Sequence, residues 1–355
     1  MSAGLADEHG RTVILLDEPP SLGGAYARAL ARPARNVAVS VASRVTNRVT
    51  RRGTSEGTDR AASPTTSRAT SHEPTSAGPV DQPAPALPPV RYRLRGIEVD
   101  QARLAAYREV VHDRADGPLP AGYVHVLAFP VAMALLARDD FPLPLAGLVH
   151  LANTVTVHRA IGVDEPLTAD VWAQDLRPHR RGTQVDVVAD VRDEGGATVW
   201  EGTSTYLARG IVLPGTEQPE ASEARGARHD EGHSFPLPTA QWRLGSDVGR
   251  RYARVSGDVN PIHLSPLTAK MFGFPRTIAH GMYTAARALA AVGRAHGDAF
   301  VWTAELAKPV LLPGTVAVSV RPDTSAAGAW SYEGWDPHHG VPHFRGAVTP
   351  RVSHA

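Results

Sequence analysis

Hydrophobic and polar positions follow the same order in two stretches of the chain. Each stretch opens with a segment typical of a strand, RYRLRGIEVD at 91–100 and TAQWRL at 239–244, and continues at helical spacing. A long apolar run then follows, at 123–136 in the first stretch and at 280–293 in the second. Four segments rich in β-branched and aromatic residues complete each stretch. This order predicts an α+β unit, a long helix with an antiparallel sheet, that is present twice.

The repeat divides the chain into four parts. We predict an N-terminal extension, a first repeat, a linker and a second repeat, at residues 1–90, 91–210, 211–238 and 239–355. Within the extension, residues 33–89 are mainly Arg, Ser, Thr, Pro and Ala, and cannot bury enough apolar surface to offset the entropy of ordering. Residues 22–31 are compatible with a short helix. We therefore expect the extension to be largely disordered and dispensable for activity.

A proline distinguishes the long helix of the first repeat. Pro130 lacks an N–H and is tolerated best in a first helical turn, so we predict that this helix begins close to it. Aligning the two repeats then places Pro130 where the second repeat has Gly281. The connection before the helix is also shorter in the first repeat. We expect the first repeat to lack catalytic groups and to shape a tunnel for the substrate.

Composition narrows the class of protein. The 355 residues include no cysteine, which excludes a disulfide framework, a thiolate nucleophile and a cysteine-ligated metal. The formal net charge is +1, so no overall field favours a nucleic-acid or membrane partner. The N-terminal residues lack the basic region and long apolar core of a signal peptide, and no run approaches the ~18 apolar residues of a membrane span. We expect a cytoplasmic protein.

The candidate chemistry lies in the second repeat, before and at the start of its apolar helix. Asp258 and His263 stand five positions apart, and an imidazole and a carboxyl group can share proton transfer near neutral pH. Gly281 opens the helix, where an unpaired N–H can receive a ligand carbonyl. We expect Ser256 and Asn260 to hold the loop. Taken alone, Asp258 could instead cap a turn before the following proline.

These residues carry a family resemblance. The string SGDVNPIH, followed by FGFPRTIAHGM, resembles the hydratase motif of MaoC-type hot-dog proteins, the (R)-specific enoyl-thioester hydratases and 3-hydroxyacyl-thioester dehydratases. The resemblance implies that Asp258 and His263 are the catalytic pair, that the Gly281 N–H binds the thioester carbonyl, and that His280 is structural. The first repeat resembles the non-catalytic half of double hot-dog dehydratases of mycobacterial type, so the likeness covers roughly residues 91–350.

The resemblance also implies a fold, a reaction and partners. The fold would be a double hot-dog, two curved antiparallel sheets each wrapped around a central helix, forming an internal pseudo-dimer that could pair again as a homodimer. The reaction would be that of a lyase in fatty-acid metabolism, a syn elimination or addition of water on a thioester of coenzyme A or acyl carrier protein, with no metal and no cofactor. The run RPHRRG at 177–182 could receive the phosphates of such a substrate.

Two alternatives remain open from the sequence. The chain could be an acyl-thioester-binding subunit without activity, or a hot-dog thioesterase that uses a carboxylate to activate water. The intact pair of Asp258 and His263 favours the hydratase over both. Three of the histidines near the C-terminus have no catalytic counterpart, and we expect them on the surface: His338, His339 and His343.

Overall fold

A computed structural model describes residues 6–31, 85–214 and 234–351 of the protein. The disorder predicted for residues 33–89 therefore falls almost entirely outside the described residues, as does most of the linker predicted at 211–238. The α-helices are α1 Leu22–Ala31, α2 Gln101–Val111, α3 Ala121–Leu136, α4 Val248–Ser256, α5 Pro266–Met271 and α6 Gly281–Val292. No helix within the described ranges is long and apolar enough to cross a membrane.

Strands of the two repeats form one continuous sheet. The strands are β1 Thr12–Leu16, β2 Val90–Ile97, β3 Leu148–Val157, β4 Leu167–His179, β5 Gly182–Arg192, β6 Thr198–Arg209, β7 Ala240–Leu244, β8 Phe300–Leu306, β9 Gly314–Pro322, β10 Trp330–Asp336 and β11 Val341–Pro350. Their order across the sheet is β1-β2-β4-β5-β6-β3-β8-β11-β10-β9-β7.

The sheet order shows that the chain contains one topology twice. The first repeat runs β2-β4-β5-β6-β3 from its edge, and the second runs β7-β9-β10-β11-β8 from the opposite edge. The innermost strands β3 and β8 pair antiparallel, with Thr154 opposite Thr303. Each repeat wraps its part of the sheet around one long helix, α3 or α6. The protein is a double hot-dog, and its two halves join through the β3–β8 ladder into an internal pseudo-dimer.

The N-terminal extension contains structure that the sequence analysis missed. Strand β1 pairs parallel with β2, with Thr12 opposite Val90, and so adds a strand to the edge of the sheet. Asp7 lies 3.1 Å from Arg91 Nε, and the guanidinium groups of Arg11 and Arg91 each lie 4.5 Å from the ring centre of Trp172. These contacts dock the segment, because ion pairs and cation–π contacts gain strength where water is excluded. Helix α1 occupies residues 22–31, where the sequence predicted a short helix, whereas the strand at Thr12–Leu16 was not predicted.

The long helix of the first repeat begins earlier than predicted. Helix α3 starts at Ala121, and Pro130 lies inside it rather than in the first turn. An internal proline costs ~3 kcal/mol, but α3 is buried along nearly its whole length, and a single buried aliphatic side chain contributes ~1.5–3 kcal/mol. Tertiary burial thus overrides the local preference. The residue at the helix start that corresponds to Gly281 is Ala121, so the pairing of Pro130 with Gly281 was wrong.

The shorter connection in the first repeat is nevertheless real. Residues 112–120 link α2 to α3, whereas residues 257–280 link α4 to α6. The longer link contains the short helix α5 and a 3-10 turn at Pro261–His263. The connection in the first repeat is too short to form this loop, which carries Asp258 and His263 in the second repeat.

The first turn of α3 packs closely against α2 and α6 at Gly122. A Cβ built on Gly122 of α3 would lie 2.4 Å from Tyr107 Oη and 3.2 Å from the Cβ of Ala286 on α6. Tyr107 is fully buried, and its hydroxyl has no hydrogen-bond partner in the described residues. Glycine is therefore required where α2, α3 and α6 meet.

We predict that Gly122→Ala lowers the free energy of unfolding by ~1–3 kcal/mol, the usual cost of overpacking a core. Because the closest atom is the Tyr107 hydroxyl, the double variant Tyr107→Phe/Gly122→Ala should recover part of this loss. Urea unfolding of the wild type, both single variants and the double variant measures the coupling. Strictly additive effects would show that the contact is not the cause.

Candidate active site

A cavity of about 300 Å³ lies between the two halves at the start of α6. The second half contributes the loop with Asp258 and His263 and the first turn of α6. The first half contributes the middle of α3 and the first part of β3. All three residues expected to act on a substrate, Asp258, His263 and Gly281, line this cavity.

The loop leaves helix α4 through a left-handed glycine. Gly257 has φ 77°, a conformation that L side chains rarely adopt, and it turns the chain toward the cavity. Ser256 donates its hydroxyl hydrogen to the Tyr252 carbonyl at 2.8 Å and accepts the Asp258 N–H at 3.1 Å. Asp258 Oδ1 accepts the Asn260 N–H at 3.1 Å. Ser256 and Asn260 thus make the loop-holding contacts expected of them, through short-range turn hydrogen bonds.

The next residues place the imidazole. Asn260 caps the 3-10 turn, accepting the Ile262 N–H at 3.4 Å, and Pro261 fixes φ at its start. The turn packs closely on α4, because a Cβ built on Gly249 would lie 2.3 Å from the His263 carbonyl oxygen. His263 is 7% exposed and faces the cavity from this turn.

His263 has a defined proton arrangement. Its Nδ1 lies 2.8 Å from the Ile278 carbonyl oxygen, and because a carbonyl only accepts, Nδ1 carries the hydrogen. Nε2 is therefore the unprotonated nitrogen. Burial, followed by the neighbouring His280, lowers the pKa of His263 to about 3. The ring is therefore neutral at physiological pH, and its Nε2 can accept a hydrogen bond or a proton.

His280 connects the other groups. Its Nε2 donates to the main-chain carbonyl of Asp258 at 3.0 Å, and its ring stacks on His263 with centroids 3.6 Å apart. The Tyr252 ring lies on it at 5.0 Å. Burial lowers the pKa of His280, so it too is neutral. These contacts give His280 the supporting position that the sequence analysis expected.

Asp258 is the anionic member of the group. Its side chain is 24% exposed and lies at the cavity wall. Burial alone would raise the pKa of Asp258, but interactions with His280 and His263, with hydrogen bonds from Asn260 and Tyr26, lower it below the ordinary value. The carboxylate is therefore charged at neutral pH, with one oxygen, Oδ1, occupied by hydrogen bonds.

Gly281 is the first residue of α6, so its N–H has no carbonyl to bond within the helix. The His280 side chain does not cap this end. A Cβ built on Gly281 would lie 2.2 Å from Leu306 Cδ1, so the position is closely packed and a side chain there would disturb the cavity. The amide and the positive end of α6 together suit a carbonyl oxygen that gains negative charge.

Comparison with known proteins places this site in a family. The MaoC like domain matches residues 233–328, the part of the chain that carries Asp258, His263 and Gly281. Over 263 residues, the chain is 36% identical to 3-hydroxyacyl-thioester dehydratase X of Mycobacterium tuberculosis, covering 74% of this chain and 90% of that protein. The chain belongs to the MaoC-like dehydratases.

Solved structures agree with this MaoC-like assignment. The crystal structure of HtdX from Mycobacterium tuberculosis is 34% identical with a TM-score of 0.62, covering 74% of this chain and all of that one. A MaoC-like dehydratase from Phytophthora capsici has a TM-score of 0.55 at 18% identity, covering 74% of this chain and 96% of that one, which shows a shared fold.

The first half of this MaoC-like protein adds polar groups to the cavity that the sequence analysis missed. His125 and His150 line it beside Tyr206, with the His150 and Tyr206 rings 4.7 Å apart. Burial lowers the pKa of His125 to about 4 and that of His150 to about 3. The His150 Nε2 is buried without a partner in the described residues. The signal was two histidines inside apolar runs, YVHVLAF and GLVHLAN.

A smaller cavity of about 90 Å³ lies at the start of α3. It is the counterpart of the main cavity in the first repeat, lined by Gly122 of α3 and Leu289 of α6. Asp113 and Asp116 reach it from the short connection at 112–120, but that connection places no histidine on its wall. The first repeat therefore lacks the arrangement that Asp258 and His263 form in the second.

Three side chains of the main cavity, Asp258, His263 and His280, could also be considered as metal ligands. One ligand atom from each of Asp258, His263 and His280 lies within 4.8 Å of the others. Each imidazole, however, already donates one N–H to a main-chain carbonyl, which leaves the other nitrogen to serve as a ligand or as a proton acceptor. The expectation of a metal-free site stays a prediction.

Low pH should destabilise the folded state, because the histidines that line the main cavity are held in the neutral form. His125, His150, His263 and His280 all have pKa values lowered by burial, while in the unfolded chain histidine titrates near ~6.5. Below that pH the unfolded state binds more protons, so the free energy of unfolding falls as pH falls, by up to about 1.4 kcal/mol per pH unit for each ring.

We predict a melting temperature that decreases from pH 7 to pH 5 at constant ionic strength, measured by scanning calorimetry. His150→Gln should make this decrease less steep, because one neutral imidazole is removed. The exposed His338 provides the matched control, and His338→Gln should leave the slope unchanged. A melting temperature independent of pH in the wild type would contradict the burial argument.

Proposed function

We propose that this MaoC-like protein is an (R)-specific 3-hydroxyacyl-thioester dehydratase that also hydrates trans-2-enoyl thioesters, a hydro-lyase of fatty-acid metabolism. One observation supports this most: a neutral imidazole, a carboxylate and an unpaired helix-start N–H line the same cavity, at His263, Asp258 and Gly281. Each meets one requirement of the reaction, a proton carrier, a group that orients water, and a donor to the thioester oxygen.

In the hydration direction, a water molecule lies between His263 Nε2 and the free oxygen of Asp258. His263 takes one proton as the water oxygen bonds to C3, and the electrons of the double bond move to the thioester. The Gly281 N–H donates to the resulting enolate-like oxygen, and loss of one such donor typically costs ~10²–10³ in rate. The imidazolium then returns its proton to C2, while Asp258 stabilises its charge.

Dehydration is the reverse. His263 removes a C2 proton and delivers it to the C3 hydroxyl as that group leaves as water. Because one ring handles both transfers, hydrogen and hydroxyl are lost from the same face, which is a syn elimination. All atoms and charges balance with the side chains alone, so we propose a reaction without a metal or an organic cofactor.

We propose one such site per chain. The second repeat supplies the acid/base loop and the Gly281 amide, while the first repeat supplies the opposite wall through α3 and β3. The loop at 112–120 is shorter than the loop at 257–280 and contains no counterpart of the motif that spaces Asp258 and His263. Further pairing of the pseudo-dimer into a homodimer stays a prediction.

Basic side chains lie at the rim of the cavity. Three exposed basic residues line it, Arg181 and Arg209 from the first half and Lys308 from the second. Arg177, also in the RPHRRG run, instead pairs with both oxygens of Asp186 at 2.9 and 3.0 Å. We propose that the rim binds phosphates of coenzyme A or of the phosphopantetheine arm of acyl carrier protein. His343, expected on the surface, is half-buried and also lines this part of the cavity.

We predict that Asp258→Asn and His263→Gln each reduce hydration of crotonyl-CoA by ~10²–10⁴. The first removes the carboxylate that orients water and stabilises the imidazolium, and the second removes the proton carrier. Loss of the enoyl absorbance gives the rate, and circular dichroism confirms folding. His338→Gln, an exposed histidine substitution, should keep the wild-type rate. Near-wild-type rates in a folded Asp258 or His263 variant would refute the assignment, and release of free thiol by the wild type would indicate a thioesterase.

Phosphate binding at the cavity rim can be tested with the two lysines of the chain, Lys270 and Lys308. We predict that Lys308→Ala raises KM for crotonyl-CoA roughly fivefold, equivalent to ~1 kcal/mol for an exposed ion pair, with little change in kcat. Lys270→Ala is the control, because Lys270 is exposed on α5 and does not line the cavity. KM for the crotonyl thioester of N-acetylcysteamine, which has no phosphate, should not change. An equal effect on both substrates would contradict phosphate binding.

A further inference from the structure

Helix α1 of the N-terminal extension lies on the loop that carries Asp258. A Cβ built on Gly257 would lie 2.5 Å from Leu22 Cδ1, which places Leu22 directly against that glycine. Four residues later, the Tyr26 hydroxyl donates to Asp258 Oδ1 at 3.1 Å. Residues four apart share one face of a helix, so this face of α1 contacts two consecutive residues of the loop.

The position of Tyr26 is well determined by its surroundings. The side chain is 7% exposed and lines the main cavity, and its hydroxyl also lies 3.8 Å from Met133 Sδ on α3. Burial, followed by the charge of Asp258, raises the pKa of Tyr26 well above its usual range. The hydroxyl therefore keeps its hydrogen and serves as a donor, which excludes it as a base near neutral pH.

The segment that carries Tyr26 has its own attachment to the sheet. Strand β1 pairs with β2 over the full range Thr12–Leu16. Asp7 binds Arg91 next to that ladder. The contact between Tyr26 and Asp258 is thus fixed from two sides, by the β1 ladder at the sheet edge and by the packing of α1 on α3.

We infer that Tyr26 is a positioning residue of the active site and that residues 6–31 are part of the catalytic unit, an inference that rests on the proposed function. With Tyr26 and Asn260 both donating to Oδ1, the carboxylate cannot rotate freely, and Oδ2 is left to orient water. Hydrogen bonds to a charged group are stronger than those between neutral groups. This role predicts that the extension is needed for full activity, the opposite of the expectation drawn from its composition.

Tyr26→Phe tests the inference in the full-length chain, because it removes the hydroxyl and keeps the ring. We expect kcat for crotonyl-CoA hydration to fall roughly tenfold, equivalent to ~1.4 kcal/mol. KM should stay within about twofold of the wild-type value, and the melting temperature within about 2 °C. Tyr92→Phe is the matched control, since the Tyr92 hydroxyl bonds Arg138 and does not line the cavity. It should leave kcat unchanged.

The possible results show whether Tyr26 has this positioning role or not. An unchanged kcat in Tyr26→Phe overturns the inference, and so does a loss of kcat accompanied by an equal loss in the Tyr92 control or by a large drop in melting temperature. A chain lacking residues 1–84 that folds and keeps the wild-type kcat also overturns it. If the wild type itself turns over no enoyl thioester, the proposed function fails instead, so the two failures are distinguishable.

Discussion

The arrangement of the site depends on how the Asp258 carboxylate is held. The His280 ring donates to the main-chain carbonyl of Asp258, while the main-chain N–H of Asn260 and the Tyr26 hydroxyl donate to Oδ1. A partly buried carboxylate without such donors would be raised in pKa and would lose its charge. Because these donors come from three separate elements, the carboxylate of Asp258 can be buried and stay charged only when all three are assembled around it. The neutral state of His263, stacked on His280, follows from the same assembly.

Duplication of one unit explains the general shape of the protein, and loss of symmetry explains its site. The β3–β8 ladder joins the repeats so that each long helix begins opposite the middle of the other. Both helix starts border a cavity, but only the connection at 257–280 is long enough to hold an acid/base loop. The first repeat instead contributes a wall with half-buried imidazoles, such as that of His150, to the site of the second. We propose that the difference in loop length is the reason for a single, asymmetric site.

The local part of this account could be predicted from the sequence. Asp258, His263 and Gly281 lie within one short stretch, and turn residues and a helix start position them by near-neighbour hydrogen bonds. Pro130 was misplaced because a local helix preference is weaker than the burial of α3. Tyr26 could not be found, because its bond to Asp258 spans 232 residues. The parallel ladder of β1 is equally non-local and leaves no pattern within TVILL itself.

The central claim is that one imidazole, that of His263, handles both the hydroxyl and the hydrogen on the same face of the substrate, while the Asp258 carboxylate orients the water. Hydration of crotonyl-CoA in D₂O, followed by NMR of the product, measures this directly. The account predicts (3R)-3-hydroxybutyryl-CoA with a single deuterium at C2, on the same face as the new hydroxyl. A product of 3S configuration, or deuterium on the opposite face, would contradict it.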